Sequence, residues 1–169
     1  MRFEYCPHCG TKAVQREIGD EGLMPYCVSC ERPLFDMFPV CVLCAAADEE
    51  GCFLLIKQSY VSCANYVGVA GYIKSGESAE DAARREVAEE LGIEPVSVTL
   101  LGTYPYAKKD MLMIGFLARI PHAEPKLSGE VDNAEWFDAE GALKAVRGGS
   151  IIENVLIDSI SLMKKEERK

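Results

Sequence analysis

The sequence contains no run of about 18 apolar residues, the length that a membrane-spanning helix needs, so no span is expected. It also lacks an excess of positive charge. Its 18 lysines and arginines stand against 27 aspartates and glutamates, a net charge of −9. That balance disfavours broad contact with duplex phosphate, which depends on Lys and Arg. It leaves anionic substrates open, because a bound cation reverses the local charge. The opening stretch MRFEYCPHCG lacks the apolar segment of a secretory leader, which gives a cytoplasmic location as the expectation. No internal repeat is visible. What the chain does have is a hydrophobic content of 49% in 169 residues. That suits one ordinary domain with a core, plus a small attachment.

Eight cysteines are many for such a chain. Four form two C-x2-C pairs, Cys6 with Cys9 and Cys27 with Cys30, and 17 residues separate the pairs. This is zinc-ribbon spacing. Each pair sits on a tight turn that aims two thiolates at one point, and four thiolates complete a closed, structural Zn²⁺ site. Two disulfides or inert thiols are the competing reading. His8, inside the first pair, is expected as a turn residue rather than a ligand. Cys41 and Cys44 repeat the spacing in FPVCVLCAAA. That segment reads as a strand, where positions three apart face opposite ways, so these thiols are not expected to share a metal. Cys52 and Cys63 are expected as small buried residues.

Residues 1–36 form the expected ribbon, and residues 37–169 a second domain. In the latter, FPVCVLCAAA and CFLLIKQS read as strands joined by a DEEG hairpin. YVGVAGY, VSVTLLGTYPY, MLMIGFLARI and AEWFD read as further strands, with a polar loop over residues 121–133. SAEDAARREVAEELG is a helix with Ser78 as N-cap and Gly92 as its stop. AEGALKAV and SIIENVLIDSISLMKK are two more, and the tail KKEERK is expected as a frayed end. The order β-β-β-α-β-β-β-α-α implies an α+β class, a sandwich around a mixed sheet.

The chemistry concentrates in GYIKSGESAEDAARREVAEELGI, residues 71–93. At about 100° per residue, Glu86, Glu89 and Glu90 fall on one side of the helix. Like charges one turn apart destabilise a helix, so a positive partner is expected there. Ala83, Val87 and Leu91 line the adjoining arc and suit packing on a sheet. Gly71 and Gly76 in the preceding loop permit a close approach. Hard oxygen donors on a rigid helix suit Mg²⁺ or Mn²⁺, commonly shared with substrate phosphates. On charge alone, a solvated surface helix with i,i+4 pairs competes with this reading.

The full spacing, G-x5-E-x7-R-E-V-x-E-E-x-G-I, is met by Gly71, Glu77, Arg85, Glu86, Val87, Glu89, Glu90, Gly92 and Ile93. It resembles the Nudix box of the Nudix hydrolases, which cleave nucleoside diphosphates linked to another moiety. The resemblance implies a Nudix α/β/α sandwich preceded by the zinc ribbon. It implies Glu86 and Glu90 as ligands of the catalytic Mg²⁺ or Mn²⁺, and Glu89 as a further ligand or general base. It adds the Ala70 carbonyl to the metal set and makes Glu77 and Arg85 a structural pair. A ribbon directly before such a domain is similar to the NADH pyrophosphatase branch. VAGYIKSGES resembles that branch's entry to the box. GEVDNAEWFD resembles a segment that places Glu130 as a further metal ligand. GGSIIENVLIDSI resembles its closing helix, with Ile152 near the substrate. The implied reaction takes NADH or NAD to NMN(H) and AMP. The implied state is a homodimer, and the same chemistry extends to an NAD-capped RNA end.

Three departures bear on the substrate. The branch's S-Q-P-W-P-F-P-x-S signature is replaced by GTYPYAKKD. Tyr104 and Tyr106 could stack on a base, worth about 1–3 kcal/mol in single-strand sites, or serve as rim residues of a strand. The Tyr-Pro that follows the ribbon in the branch is replaced by PLFDMFP, which offers Phe35 and Phe38. The extra N-terminal domain of the longer pyrophosphatases is not expected here. FAD or ADP-ribose is therefore the alternative substrate, and a non-catalytic nucleotide sensor the alternative class. A nucleic-acid adaptor role for the ribbon is disfavoured by four Lys and Arg against six Asp and Glu in residues 1–36.

Overall fold

The strand that organises the larger unit is apolar along its whole length. Val40–Ala47 (VCVLCAAA) is buried from Cys41 onward, on both faces. A strand covered on two sides needs no polar alternation, which is why this stretch reads as a continuous run. We describe residues 3–166 of the chain in a computed structural model, which divides into two units, one ending at Phe38 and the other beginning at Pro39.

The N-terminal unit is a three-stranded antiparallel sheet in the order β1-β2-β3, with β1 Val14–Glu17, β2 Leu23–Cys27 and β3 Arg32–Pro33. Its buried residues are Cys6, Ala13, Cys27 and Leu34. So small an apolar core cannot by itself offset the entropy of ordering the segment.

The larger unit contains β4 Val40–Ala47, β5 Phe53–Lys57, β6 Val69–Tyr72, α1 Ala79–Leu91, β7 Ser97–Tyr106, β8 Met111–Arg119, β9 Asn133–Phe137, α2 Ala139–Ala145 and α3 Ile151–Glu166. The sheet runs β7-β8-β4-β5-β9. β4 lies parallel to β8 and antiparallel to β5, and its first half pairs antiparallel with β6. The sheet is therefore mixed, and helices cover both faces. On one, Ala82, Ala83, Val87 and Leu91 of α1 pack on Val42, Cys44, Ala46, Leu54 and Ile56. On the other, Ala142 of α2 and Ile152, Val155 and Leu156 of α3 pack on Cys41, Leu43, Ala45 and Phe53. Burying Val87 and Leu91 contributes about 1.5–3 kcal/mol each. This is the α/β/α sandwich around a mixed sheet expected from the sequence, with the expected element order. Cys41 and Cys44 face opposite cores, as a strand requires.

Two local expectations need correction. Cys63 is exposed, with its Sγ 3.4 Å from the Ser59 carbonyl, and Cys52 is only half-buried. Both lie in turns outside the strands, so neither is core. The tail is not frayed at its start: α3 continues to Glu166, whose carboxylate accepts from Arg119 Nη2 at 2.7 Å. The remainder of that tail, residues 167–169, lies outside the described residues. Among the described residues no helix is long and apolar enough to cross a membrane.

Candidate active site

The site is built on α1, and α1 is fixed at both ends by its own sequence. Ser78 has an extended backbone and its side chain accepts from Asp81 N at 3.1 Å. Gly92 stops the helix with φ +65°, and its N–H donates to the Ala88 carbonyl at 2.9 Å. With the apolar arc committed to the sheet, Arg85, Glu86, Glu89 and Glu90 occupy the neighbouring arc.

Arg85 is the first positive partner of this cluster. It donates to both Glu77 oxygens, at 2.7 and 3.0 Å. A further bond reaches the Tyr72 carbonyl at 3.1 Å, tying the helix to the end of β6. Its Nη1 also reaches Glu86 at 2.5 Å and Glu89 at 3.1 Å. The Arg85 guanidinium, helped by the Lys74 backbone N–H, holds the Glu77 carboxyl down at about 2. The predicted pair is therefore present, and it is one corner of a larger charge network.

The three helix carboxylates differ sharply in environment. Glu89 is half-exposed, and Lys74 Nζ lies 3.9 Å from it. Glu86 is nearly buried, and its carboxyl rests on Gly71. A Cβ at position 71 would lie 1.9 Å from Glu86 Cδ. The required glycine thus makes room for a side chain, and its φ is ordinary. Ala70, one residue earlier on β6, pairs with Leu43. Glu90 is 4% exposed. Its Oε1 accepts from Gln58 Nε2 at 3.3 Å, while its Oε2 is buried with no partner among the described residues. Burial pushes the Glu90 carboxyl up to about 7, and the charges of Glu86, Glu130 and Glu89 add to that against the Gln58 bond.

A buried carboxylate oxygen without a donor, in the field of three other carboxylates, is costly. A divalent cation offsets both terms, and an all-oxygen donor set is what Mg²⁺ and Mn²⁺ take. The residues present fit such an ion. Glu130 is exposed in the loop after β8. That loop is fastened to the end of α1: Lys126 N donates to the Leu91 carbonyl at 2.8 Å and Ser128 N to the Glu90 carbonyl at 3.2 Å. These bonds satisfy carbonyls that a helix C-terminus leaves open.

Of the expected substrate residues, those in the larger unit lie on the sheet face opposite α1. Tyr104 and Tyr106 are half-buried against the core on the α3 side. The Tyr104 ring lies on Gly115, where a Cβ would come within 2.4 Å of it, and its hydroxyl donates to Asp158 at 2.5 Å. Burial first, then Asp158, raises the Tyr104 phenol. Ile152 is buried in the same core against Gly68. Phe35 belongs to the N-terminal unit, where its half-exposed ring borders a groove with Leu23 and Leu34.

Two residues near the cluster were not singled out from sequence. Gln58 contacts Glu90 directly. Tyr60 is largely exposed, and its phenol is raised by desolvation and then by Glu130, Glu90, Glu86 and Asp132. A signal for Gln58 did exist. Leu54 and Ile56 face α1, and period two carries residue 58 to the same side.

In the N-terminal unit the ligand atoms of Cys6, Cys9, Cys27 and Cys30 all lie within 4.8 Å of one another. A tetrahedral Zn–S bond of about 2.3 Å gives sulfur separations near 3.8 Å, so the set fits zinc. Backbone N–H groups of His8 and Cys30 donate to Cys6 and Cys27 Sγ at 3.4 and 3.3 Å. His8 thus serves the turn and is not among the clustered ligands. Crowding splits the thiols: the Thr11 hydroxyl leads in bringing Cys9 down to about 6, and Cys9 leads in pushing Cys30 up to about 12.

Residues 37–155 match the NUDIX domain family. The NAD-capped RNA hydrolase NudC of Pasteurella multocida is 30% identical over 169 residues, covering 98% of this chain and 62% of that protein. The human NAD-capped RNA hydrolase NUDT12 is 29% identical over 158 residues, covering 88% of this chain and 34% of that protein. The chain therefore spans about three-fifths of the first relative and a third of the second. A crystal structure of a NUDIX hydrolase from Nitrosomonas europaea superposes with a TM-score of 0.70 at 18% identity, covering 98% of this chain and 93% of that one. At that identity the likeness shows the fold.

Proposed function

The chain belongs to the NUDIX family, and on that premise we propose that it hydrolyses the diphosphate of a dinucleotide, with NAD(H) as the favoured small substrate. The observation that carries this reading is the free, buried Oε2 of Glu90 beside Glu86 and Glu89 on the motif helix. The NAD-capped RNA hydrolases among the relatives support NAD as the linked nucleotide.

In this reading Glu86 and Glu90 hold Mg²⁺ or Mn²⁺, with Glu130, Glu89 and the Ala70 carbonyl completing the set. When bound, the cation neutralises the diphosphate and polarises the attacking water. The protein's own part is positioning. Arg85 and Glu77 brace loop against helix, so that Glu86 stays on Gly71. Glu89, whose side chain is 55% exposed, would accept the proton of the water in this reading. The water oxygen bonds to one phosphorus and the bridging P–O bond breaks. Its electron pair leaves with the other phosphate, and the proton passes to solvent. NADH gives NMNH and AMP. Burial of Glu90 excludes bulk water from the ligand and strengthens every charge interaction there. The four-cysteine cluster holds a structural zinc that closes the ribbon. An NAD-capped RNA end presents the same diphosphate, and the net charge of −9 favours contact with the cap over contact with a long strand.

A substrate panel tests this. The protein is incubated with Mg²⁺ or Mn²⁺ and NADH, NAD⁺, FAD or ADP-ribose, and the products are separated. NMNH with AMP, formed fastest from NADH, is expected. A clear preference for FAD or ADP-ribose would mean that residues 103–110 redirect the pocket. Absence of any diphosphate cleavage would refute the enzymatic reading.

A further inference from the structure

Gln58 is a polar side chain on a core-facing position just past the end of β5, and it is 3% exposed. Buried polar groups have partners, and its partner is informative. Nε2 donates to Glu90 Oε1 at 3.3 Å, on the oxygen opposite the free one. The Gln58 backbone is equally committed. Its carbonyl accepts from Val61 N and Ser62 N, each at 2.9 Å, which closes a tight turn. That turn is joined to the loop carrying Glu130. Ser59 N donates to Asp132 Oδ2 at 2.5 Å, and Asp132 N donates to the Lys57 carbonyl at 2.8 Å.

We infer that Gln58 is a positioning residue for the candidate metal site: its amide holds one oxygen of Glu90 so that the other faces the cation. The inference rests on the reading of Glu90 as a metal ligand given above. A glutamate has a soft terminal torsion, and a donor on one oxygen fixes it. An amide does this without adding a fifth negative charge to Glu86, Glu89, Glu90 and Glu130. A hydrocarbon of the same length would leave Glu90 buried with no donor at all. The anchored turn explains why the amide stays in place, since its backbone is tied on two sides.

The test is Gln58→Met, which keeps length and removes the donor. Mn²⁺ binding to the full chain is read from the EPR signal of free Mn²⁺, and kcat and KM are measured over a range of Mn²⁺. Mn²⁺ affinity should fall about 10–100-fold, the usual effect of losing a partner that orients a ligand. Activity at low Mn²⁺ should fall with it and recover at high Mn²⁺, while KM for the dinucleotide at saturating metal stays within about twofold. Gln58→Asn keeps the amide but falls short of Glu90, so it should lose affinity similarly and replaces the Met variant if that one fails to fold. A folded variant that binds Mn²⁺ within twofold of wild type overturns the inference. Glu90→Gln is measured alongside. If it loses Mn²⁺ while Gln58→Met does not, only the role of Gln58 falls. If it binds Mn²⁺ like wild type, the metal site falls and the role of Gln58 with it.

Discussion

Gly71→Ala separates folding from function at this site. A Cβ at position 71 would lie 1.9, 2.0 and 2.3 Å from Cδ, Oε1 and Oε2 of Glu86, whereas ordinary contact begins at 3.4 Å. The carboxyl must retreat by about 1.5 Å (3.4 − 1.9). It also leaves the Arg85 Nη1 contact at 2.5 Å. The displaced group is the end of a flexible side chain, not backbone, so the folding cost sits at the low end for overpacking, about 1 kcal/mol. In a protein of this size that lowers Tm by about 2–4 °C. The catalytic cost is larger. A misplacement of about 1 Å can cost about 100-fold, which is about 2.7 kcal/mol of transition-state stabilisation. The assay is kcat/KM on the best dinucleotide of the panel, with thermal melts of the same samples. Gly148→Ala is the control, since a Cβ there meets nothing within 4 Å. Activity of Gly71→Ala within threefold of wild type would refute the placement of Glu86. Unfolding at the assay temperature would refute the claim that the side chain absorbs the clash.

The Glu77–Arg85 brace should show in acid. Because the folded Glu77 carboxyl titrates at about 2, below the ordinary 4.5, its contribution is complete above about 4.5 and lost as pH falls through about 2. The urea midpoint of wild type should therefore fall more steeply across that window than that of Glu77→Gln, and parallel curves would contradict the brace. Removing zinc should open the N-terminal unit first. Elemental analysis is expected to give one zinc per chain. Chelation or Cys27→Ser should expose amides of residues 3–38 to hydrogen exchange, while those of α1 stay protected, because Ala13 and Leu34 are the only non-cysteine residues buried among the described residues of that unit. Protected ribbon amides after metal loss would show that the thiolate cluster does not hold the unit together.

The parts of the molecule readable from sequence are those decided by local rules. The caps of α1 follow from Ser78 and Gly92, and both act as their residue types dictate. The double burial of β4 follows from an unbroken apolar run, which also placed Cys41 and Cys44 in separate cores. The thiol cluster follows from spacing. What stayed hidden depends on tertiary contact. Glu86, Glu89 and Glu90 look equivalent in a helical projection, yet their side chains are 12%, 55% and, for residue 90 as a whole, 4% exposed. That gradient is set by β5, by Gln58 and by the loop docked on the α1 C-terminus, all distant in sequence. Tyr104 is another case: residue type leaves stacking on a base and a strand-rim place both open, and it is the missing side chain at Gly115 and the carboxylate of Asp158 that draw it onto α3. Asp48 shows the same blindness. It is fully buried in the DEEG hairpin because Cys52 N and His122 Nδ1 meet its two oxygens at 2.8 and 2.7 Å, and His122 comes from the far side of the sequence.

The gradient also gives like residues unlike environments. Glu90, desolvated and half-satisfied, has the environment of a ligand held in reserve for a cation. Glu86 is already paired with Arg85 through Oε1. Glu89 remains in water, where a proton can be received and released.

The central claim is that the free oxygen of Glu90 serves a divalent cation in diphosphate hydrolysis. It is tested most directly by Glu90→Gln, which keeps the shape and removes the charge. Turnover of the best dinucleotide with Mg²⁺ or Mn²⁺ is compared with wild type at matched Tm. A loss of about 100-fold or more, as expected for removing charge stabilisation from such a site, with an unchanged melt, is the predicted result. Turnover equal to that of wild type in the folded variant would contradict the account.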